Sequence, residues 1–300
     1  MTRDDKLDEK LRRAVADLVV RPGAKVSLPR DFDPGHKAGY VDRDDAKEML
    51  QHTLERLAMY QDRLAAQQTF GLLVVLQGMD AAGKDGVVKH VMAGMNPQGV
   101  VAHSFKRPSA SELRHDYLWR HQVALPERGQ VGIFNRSHYE EVVAVRVHKE
   151  LLEAQLLPSK KTGPRLWQTR YREINAWERY LVDNGIAVVK LFLNVSRDEQ
   201  RNRLLERIDD PEKNWKFSEA DVHERENWDA YQKAYGAMLS ATSTEAAPWH
   251  VLPADHKWFA QLAAAGAIVG AFEAIDPRYP KVSAQQREAL SRAREQLLRD

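Results

Sequence analysis

The chain has 300 residues, 43% of them apolar, and its 45 Lys and Arg nearly balance 43 Asp and Glu, for a formal charge of +2. Without a single cysteine it can form no disulfide, thiolate nucleophile or cysteine zinc site, so any catalysis must rest on charge and bound metal. No run of about eighteen consecutive apolar residues occurs, and the opening residues MTRDDKLDEKLRR are charged where a signal peptide needs an apolar stretch; a soluble, cytoplasmic chain with no membrane partner is expected.

Residues 1–45 are charged and carry Pro22, Gly23, Pro29, Pro34, Gly35 and Gly39, with only short apolar stretches such as VADLVV. They read as an arm lying on the body. From 45 to 68 the apolar positions Met49, Leu54, Leu57, Tyr60 and Leu64 recur near helical spacing, so a helix feeds the first strand. That strand is GLLVVLQ, 71–77, a continuous apolar run of the kind that a strand buried on both faces of a parallel sheet requires.

Directly after it, Gly78, Gly83 and Lys84 match the phosphate-loop spacing Gly-x-x-x-x-Gly-Lys, with Met79, Asp80, Ala81 and Ala82 between the glycines. Such a loop turns backbone N–H groups towards one anion, the next helix adds its positive end, and the lysine supplies a point charge. Asp85 stands where a hydroxyl that binds Mg²⁺ is usual, although a carboxylate is itself a hard oxygen ligand. Inside the loop, Asp80 is the better metal candidate: unpaired it would repel phosphate, whereas a Mg²⁺ or Mn²⁺ ion between them removes the conflict.

Further apolar runs occur at 100–105, 130–135, 187–194 and 249–254, alternating with helical stretches. Five strands separated by helices predict an α/β fold with a doubly wound parallel sheet. The third strand ends in Asn135, Arg136, Ser137, His138, Tyr139 and Glu140, which should reach the same crevice as the glycine loop at the carboxyl ends of the strands. Arg136 has the fork geometry to bridge phosphates, and pairing with Glu140 is its structural alternative.

Between the fourth and fifth strands lie two polar helices, about 197–235. Ser196 with Glu199 and Ser218 with Asp221 form capping-box patterns that open them, and the hairpin is a candidate lid. After the last strand an apolar helix, KWFAQLAAAGAIVGAFEAI, should pack on the sheet, and a charged tail closes the chain. The organisation expected is an arm (1–45), a phosphotransferase domain (46–285) and a tail (286–300). Charge is uneven along it: from Lys84 to Arg172 there are 15 Lys and Arg against 8 Asp and Glu, net +7, and the remainder carries 30 against 35, net −5. A basic excess that starts at a phosphate loop favours a polyanion site.

The stretches GMDAAGKDG, SFKRPSASELRHDYLWRHQVALPERGQVGIFNRSHYEEV, RIDDPEKNWKFSEADVHERENWDAY and WHVLPADHKWF together resemble the polyphosphate kinase 2 family over most of residues 45–275. The resemblance implies a P-loop kinase fold and Mg²⁺-dependent phosphoryl transfer between inorganic polyphosphate and nucleotides, in a cytoplasmic and commonly oligomeric enzyme. It places Asp80 and Lys84 in the first loop, Asn135 and Arg136 in the second motif, and Arg207 in the lid. Many members carry Asp-Arg-Ser-Trp-Tyr-Asn in the second motif. Asn135 and Glu140 instead resemble the subgroup that accepts both nucleoside mono- and diphosphates, with Asn135 at most an indirect partner of the metal and Glu140 tuning acceptor choice.

On that reading polyphosphate lies along Lys106, Arg107, Arg114 and Arg120, and the acceptors are AMP and ADP, with guanine nucleotides as further candidates. Direct in-line transfer is chemically sufficient, so a phosphohistidine at His138 is not required. An ATP-using nucleotide kinase of the same fold and a non-catalytic nucleotide- or polyanion-binding regulator stand as alternatives. Nucleic acid is not expected as a partner, because no RNA- or DNA-binding module is recognisable.

Overall fold

A computed structural model describes residues 2–155, 157, 158, 163 and 165–299. Met1 and Asp300, the ends of the expected arm and tail, and Lys160 and Lys161 of the basic stretch lie outside the described residues. The chain runs α1 (Arg3–Ala16), α2 (Lys47–Gln67), β1 (Gly71–Gly78), α3 (Lys84–Ala93), β2 (Val100–Ser104), α4 (Trp119–Gln122) and β3 (Val131–Asn135). It continues through α5 (Ala144–Val147), α6 (Lys149–Glu153), α7 (Leu166–Asp183), β4 (Ile186–Asn194), α8 (Arg197–Asp209) and α9 (Glu219–Glu224). The last elements are α10 (Trp228–Thr242), β5 (Trp249–Pro253), α11 (Lys257–Ile275) and α12 (Ala284–Leu297).

All five strands are parallel and lie in the order β2-β3-β1-β4-β5, so the expected doubly wound sheet is present and the glycine-loop strand is its centre. Every residue of β1 is buried, as its unbroken apolar run requires. Strand register places the site. Leu76 pairs with Asn135 and Gly78 with Leu193, so the ends of β1, β3 and β4 open onto one crevice.

The first 45 residues pack closely on the body. Thr2 and Asp5 close a capping box on α1, whose Leu11 and Val15 press on α11 so tightly that a Cβ on Gly266 would come within 2.8 Å of each. The chain then crosses the edge of β5: the Val20 N–H donates to Trp249 O (2.8 Å), and the Val251 N–H donates to Leu18 O (2.7 Å). This contact covers a strand edge that would otherwise invite another chain. Helix α11 is long and apolar enough to cross a membrane, yet 61% of its apolar window is buried, where it packs against α1, α2, α3 and the sheet. Its composition reflects a core position.

Beneath the crevice the core holds an ionic cluster. Lys190, in the middle of β4, donates to Glu178 Oε2 (2.6 Å), Tyr139 OH (2.9 Å) and Thr242 O (2.6 Å), and all of these side chains are buried. Tyr139 OH in turn donates to Glu178 Oε1 (2.7 Å). Burial pushes the Lys190 ammonium down, and Glu178 opposes it. Removing one partner of such a pair strands the other charge. Lys190→Met is therefore expected to lower stability by about 3–5 kcal/mol in urea denaturation, and Lys190→Met combined with Glu178→Leu to recover part of that loss. A double variant as unstable as the single one would show that packing, not the stranded charge, dominates.

Candidate active site

The glycine loop is shaped by backbone that few residues adopt. Gly78 has φ +154°, and a Cβ there would sit 2.9 Å from Leu193 O, so only glycine fits between β1 and β4. Gly83, at φ +108°, is the N-cap of α3. Lys84 folds back into the loop with 8% exposure, donating to Gly78 O (2.8 Å) and Met79 O (3.0 Å). Burial pushes its ammonium down to about 8; the charge of Arg136 adds to the shift, and Asp80, Glu140 and Asp85 work against it.

Two side chains of α8 brace this loop from outside. The Arg203 guanidinium donates to Ala81 O (3.1 Å) and Ala82 O (2.8 Å), bonds to Ala254 O and donates to Asp255 O (3.2 Å), while its Nε is held by Glu199 (2.7 Å). Gln200 donates to Asp80 O (2.8 Å). Neither stands out in the sequence, because an arginine and a glutamine in a polar helix look like surface residues. The root of the lid is thus tied to the phosphate loop.

At the end of β3 the chain reverses through Arg136, at φ +60°. The Arg136 guanidinium pairs with Asp80 and lies 3.7 Å from Glu140, so the acid pairing expected as its structural alternative is present. Burial alone would lower the affinity of Arg136 for its proton; Glu140 and Asp80 overcome that and hold it firmly charged. Asn135 donates to Asp85 Oδ1 (2.7 Å), so these two polar groups satisfy each other across the mouth of the loop. Turned so that both ends are satisfied, the Gln77 amide donates to Glu140 Oε1 (3.0 Å) and accepts from Ser137, fixing the carboxylate. His138, by contrast, is fully buried against Trp177, with Nε2 3.3 Å from Glu178. It has no access to the crevice.

In the lid, Ser196 caps α8 by accepting from the Glu199 N–H (3.2 Å). The box is not reciprocal, since the Ser196 N–H donates to Asp255 instead (2.7 Å). The second capping box does not form at all: Ser218 makes no cap bond, and the Asp221 carboxylate is taken by Arg207 (2.8 Å). A charge-assisted bond outcompetes a cap. Burial holds the Asp221 carboxyl above its ordinary value, with Asp80 adding and Arg207 opposing.

The Gly83–Lys84 turn, Asn135, Arg136 and Arg207 all line one cleft of about 620 Å³. Lys106 lines it as well, and Arg107 and Arg114 are exposed nearby in sequence. Arg120 does not belong with them. It is 8% exposed, donates to Lys106 O (2.8 Å) and faces the Phe105 ring, so it shapes the turn that presents Lys106 and has no surface to offer a phosphate chain. Every arginine of the stretch has equal standing in the sequence, because charge is legible there and burial is not. Lys213, Lys216 and Lys257, which lie in the resembling stretches but are not singled out there, line the cleft from the lid and from α11.

The family model for Polyphosphate kinase 2 matches residues 40–280. The chain belongs to that family. It is 46% identical over 284 residues to the "ADP-polyphosphate phosphotransferase" of Rhodopseudomonas palustris, covering 93% of this chain and 97% of that protein. To the "AMP/ADP-polyphosphate phosphotransferase" of Meiothermus ruber it is 43% identical, covering 87% and 94%. The crystal structure of Polyphosphate Kinase 2 from Arthrobacter aurescens superposes with a TM-score of 0.82 at 40% identity, covering 91% of this chain and 94% of that one. As a member of the polyphosphate kinase 2 family the chain is a phosphotransferase enzyme with a P-loop kinase fold.

For a polyphosphate kinase 2 the expected metal can be tested against the donor set. Among the described residues no three His, Asp or Glu side chains converge as a cage. Mg²⁺ does not need one, because it is usually held by one or two carboxylates, substrate phosphates and water. Asp80, within the loop and a quarter exposed, and Asp85 both line the cleft and fit that pattern. Asn135 is turned towards Asp85 as a donor.

Proposed function

We propose that the protein transfers a phosphoryl group from inorganic polyphosphate to AMP and to ADP, and to guanine nucleotides as well, by direct in-line displacement in a Mg²⁺-dependent and reversible reaction. What carries this reading is one juxtaposition: Lys84, the Asp80–Arg136 pair and the lid arginine Arg207 face a single cleft. The names of the relatives, polyphosphate phosphotransferases acting on ADP or on AMP and ADP, fit it. A relative from Pseudomonas aeruginosa at 32% identity, a "GDP-polyphosphate phosphotransferase", supports the wider base choice.

Phosphoryl transfer of this type is mainly positioning and neutralisation of charge. Lys84 and Arg136 hold the oxygens of the transferring group, and loop N–H groups orient it. Asp80, with Asp85, would hold Mg²⁺, which when bound neutralises charge on the bridging phosphate oxygens. The acceptor's terminal phosphate oxygen attacks phosphorus, and the bond to the shortened polyphosphate breaks. His138 takes no part.

AMP is one phosphoryl unit shorter than ADP, so a site that uses both must bring two different acceptor oxygens to one point. Glu140, held by Gln77 beside Arg136, supplies a charge that can order water or metal in the space left by the missing phosphate. Glu140→Asn is expected to depress the AMP reaction about ten-fold more than the ADP reaction, a differential of about 1.4 kcal/mol. Steady-state kinetics with each acceptor, products separated by chromatography, measures it. Equal losses would refute the selective role of Glu140, and no wild-type conversion of AMP would refute use of both acceptors.

A further inference from the structure

Trp215 sits in the loop between α8 and α9, and at 78% exposure it is the most open large apolar side chain among the described residues. An indole left in water forgoes the free energy of burial, and this one lies in the wall of the cleft. One side of its ring is attended by Lys216, whose Nζ stands 5.0 Å from the centroid. A phosphate chain has no use for an open aromatic face. A nucleobase does.

Charge divides the same cleft into two ends. At the lid end two of the three lysines are already answered: Lys213 pairs with Asp210 (2.6 Å) and Glu206 (2.7 Å), and Lys257 lies 3.4 Å from Glu206, while Lys216 is the one that attends the Trp215 ring. These contacts, Lys213 first, hold Glu206 below the ordinary carboxylate range. Ala260 and Gln261 complete that end with an apolar patch and an amide. Lys106 lines the cleft from the segment after β2, Arg107 and Arg114 are exposed near it in sequence, and none of the three lies within 4.0 Å of a carboxylate among the described residues. Unanswered cations suit a polyanion, while a neutralised wall with an aromatic plate suits a nucleoside.

From this polarity we infer that Trp215 is the stacking platform for the nucleobase, so that the nucleotide enters from the lid end and polyphosphate from the Lys106 end, meeting at Lys84. The inference rests on the cleft being a nucleotide site, as proposed above. Stacking on an indole is tolerant of base identity because every base has a π face. Adenine and guanine nucleotides should therefore depend on Trp215 to the same degree.

Equilibrium binding separates the two ends without requiring turnover. Isothermal titration of the wild type, Trp215→Ala and Trp215→Phe with ADP, GDP and tripolyphosphate is the test. Trp215→Ala is expected to weaken ADP and GDP about ten-fold and to leave tripolyphosphate within about two-fold, with Trp215→Phe keeping most of the nucleotide affinity. Unchanged ADP affinity in Trp215→Ala overturns the inference. So does a loss of tripolyphosphate as large as that of ADP, or a phenylalanine variant as weak as the alanine one. If the wild type transfers nothing from polyphosphate while the ADP loss is as expected, the transfer reaction is refuted and the stacking site stands.

Discussion

Lys84→Ala is expected to lower kcat/KM for polyphosphate by about 10²–10³-fold while thermal unfolding stays close to wild type. The lysine is buried in the glycine loop and held only by two backbone carbonyls, so its charge is desolvated and poised for an anion. Alanine removes that charge without leaving another one stranded, because the acids nearby keep Arg136. The same burial gives a pH signature. With its value pushed down to about 8, Lys84 is charged below that pH and loses its proton above it. In the free enzyme kcat/KM should fall as pH rises through about 8, and in Lys84→Ala that limb should vanish. Near wild-type turnover in the variant, or an alkaline limb that survives it, would remove Lys84 from the site.

Arg207→Ala should cost more in kcat than in binding. In the structure Arg207 is held by Asp221 in the wall of the cleft, so the role proposed for it requires the α8–α9 hairpin to move it onto the transferring group. An arginine that acts only at that moment is worth about 10³-fold in kcat, with nucleotide KM shifted by less than about three-fold. Arg207→Lys should recover little, because an ammonium cannot match the fork of a guanidinium on phosphate. A variant that raises KM and leaves kcat unchanged would make Arg207 a ground-state binder.

The features legible in the sequence are those set by local pattern. The apolar run of β1, the spacing of Gly78, Gly83 and Lys84, and the alternation of strands with helices each depend on neighbours in the chain, and all reappear in the structure. Long-range partners were not legible. Arg203 acts through carbonyls more than fifty residues away on either side, and nothing in its own helix marks it. Arg120 looks like its exposed neighbours until Phe105 and the Lys106 carbonyl close over it. Ser218 carries the right spacing for a cap, but Arg207 holds Asp221 instead. In α1, Leu11 and Val15 gain their meaning only from Gly266, near the other end of the chain.

Transfer itself can be watched on phosphorus. Phosphorus NMR of ADP, Mg²⁺ and polyphosphate should show ATP resonances growing at the expense of internal polyphosphate phosphorus on adding the wild-type protein, and almost no growth with Lys84→Ala. Absence of ATP with the wild type, or equal growth with both proteins, would contradict transfer from polyphosphate to nucleotide in this cleft.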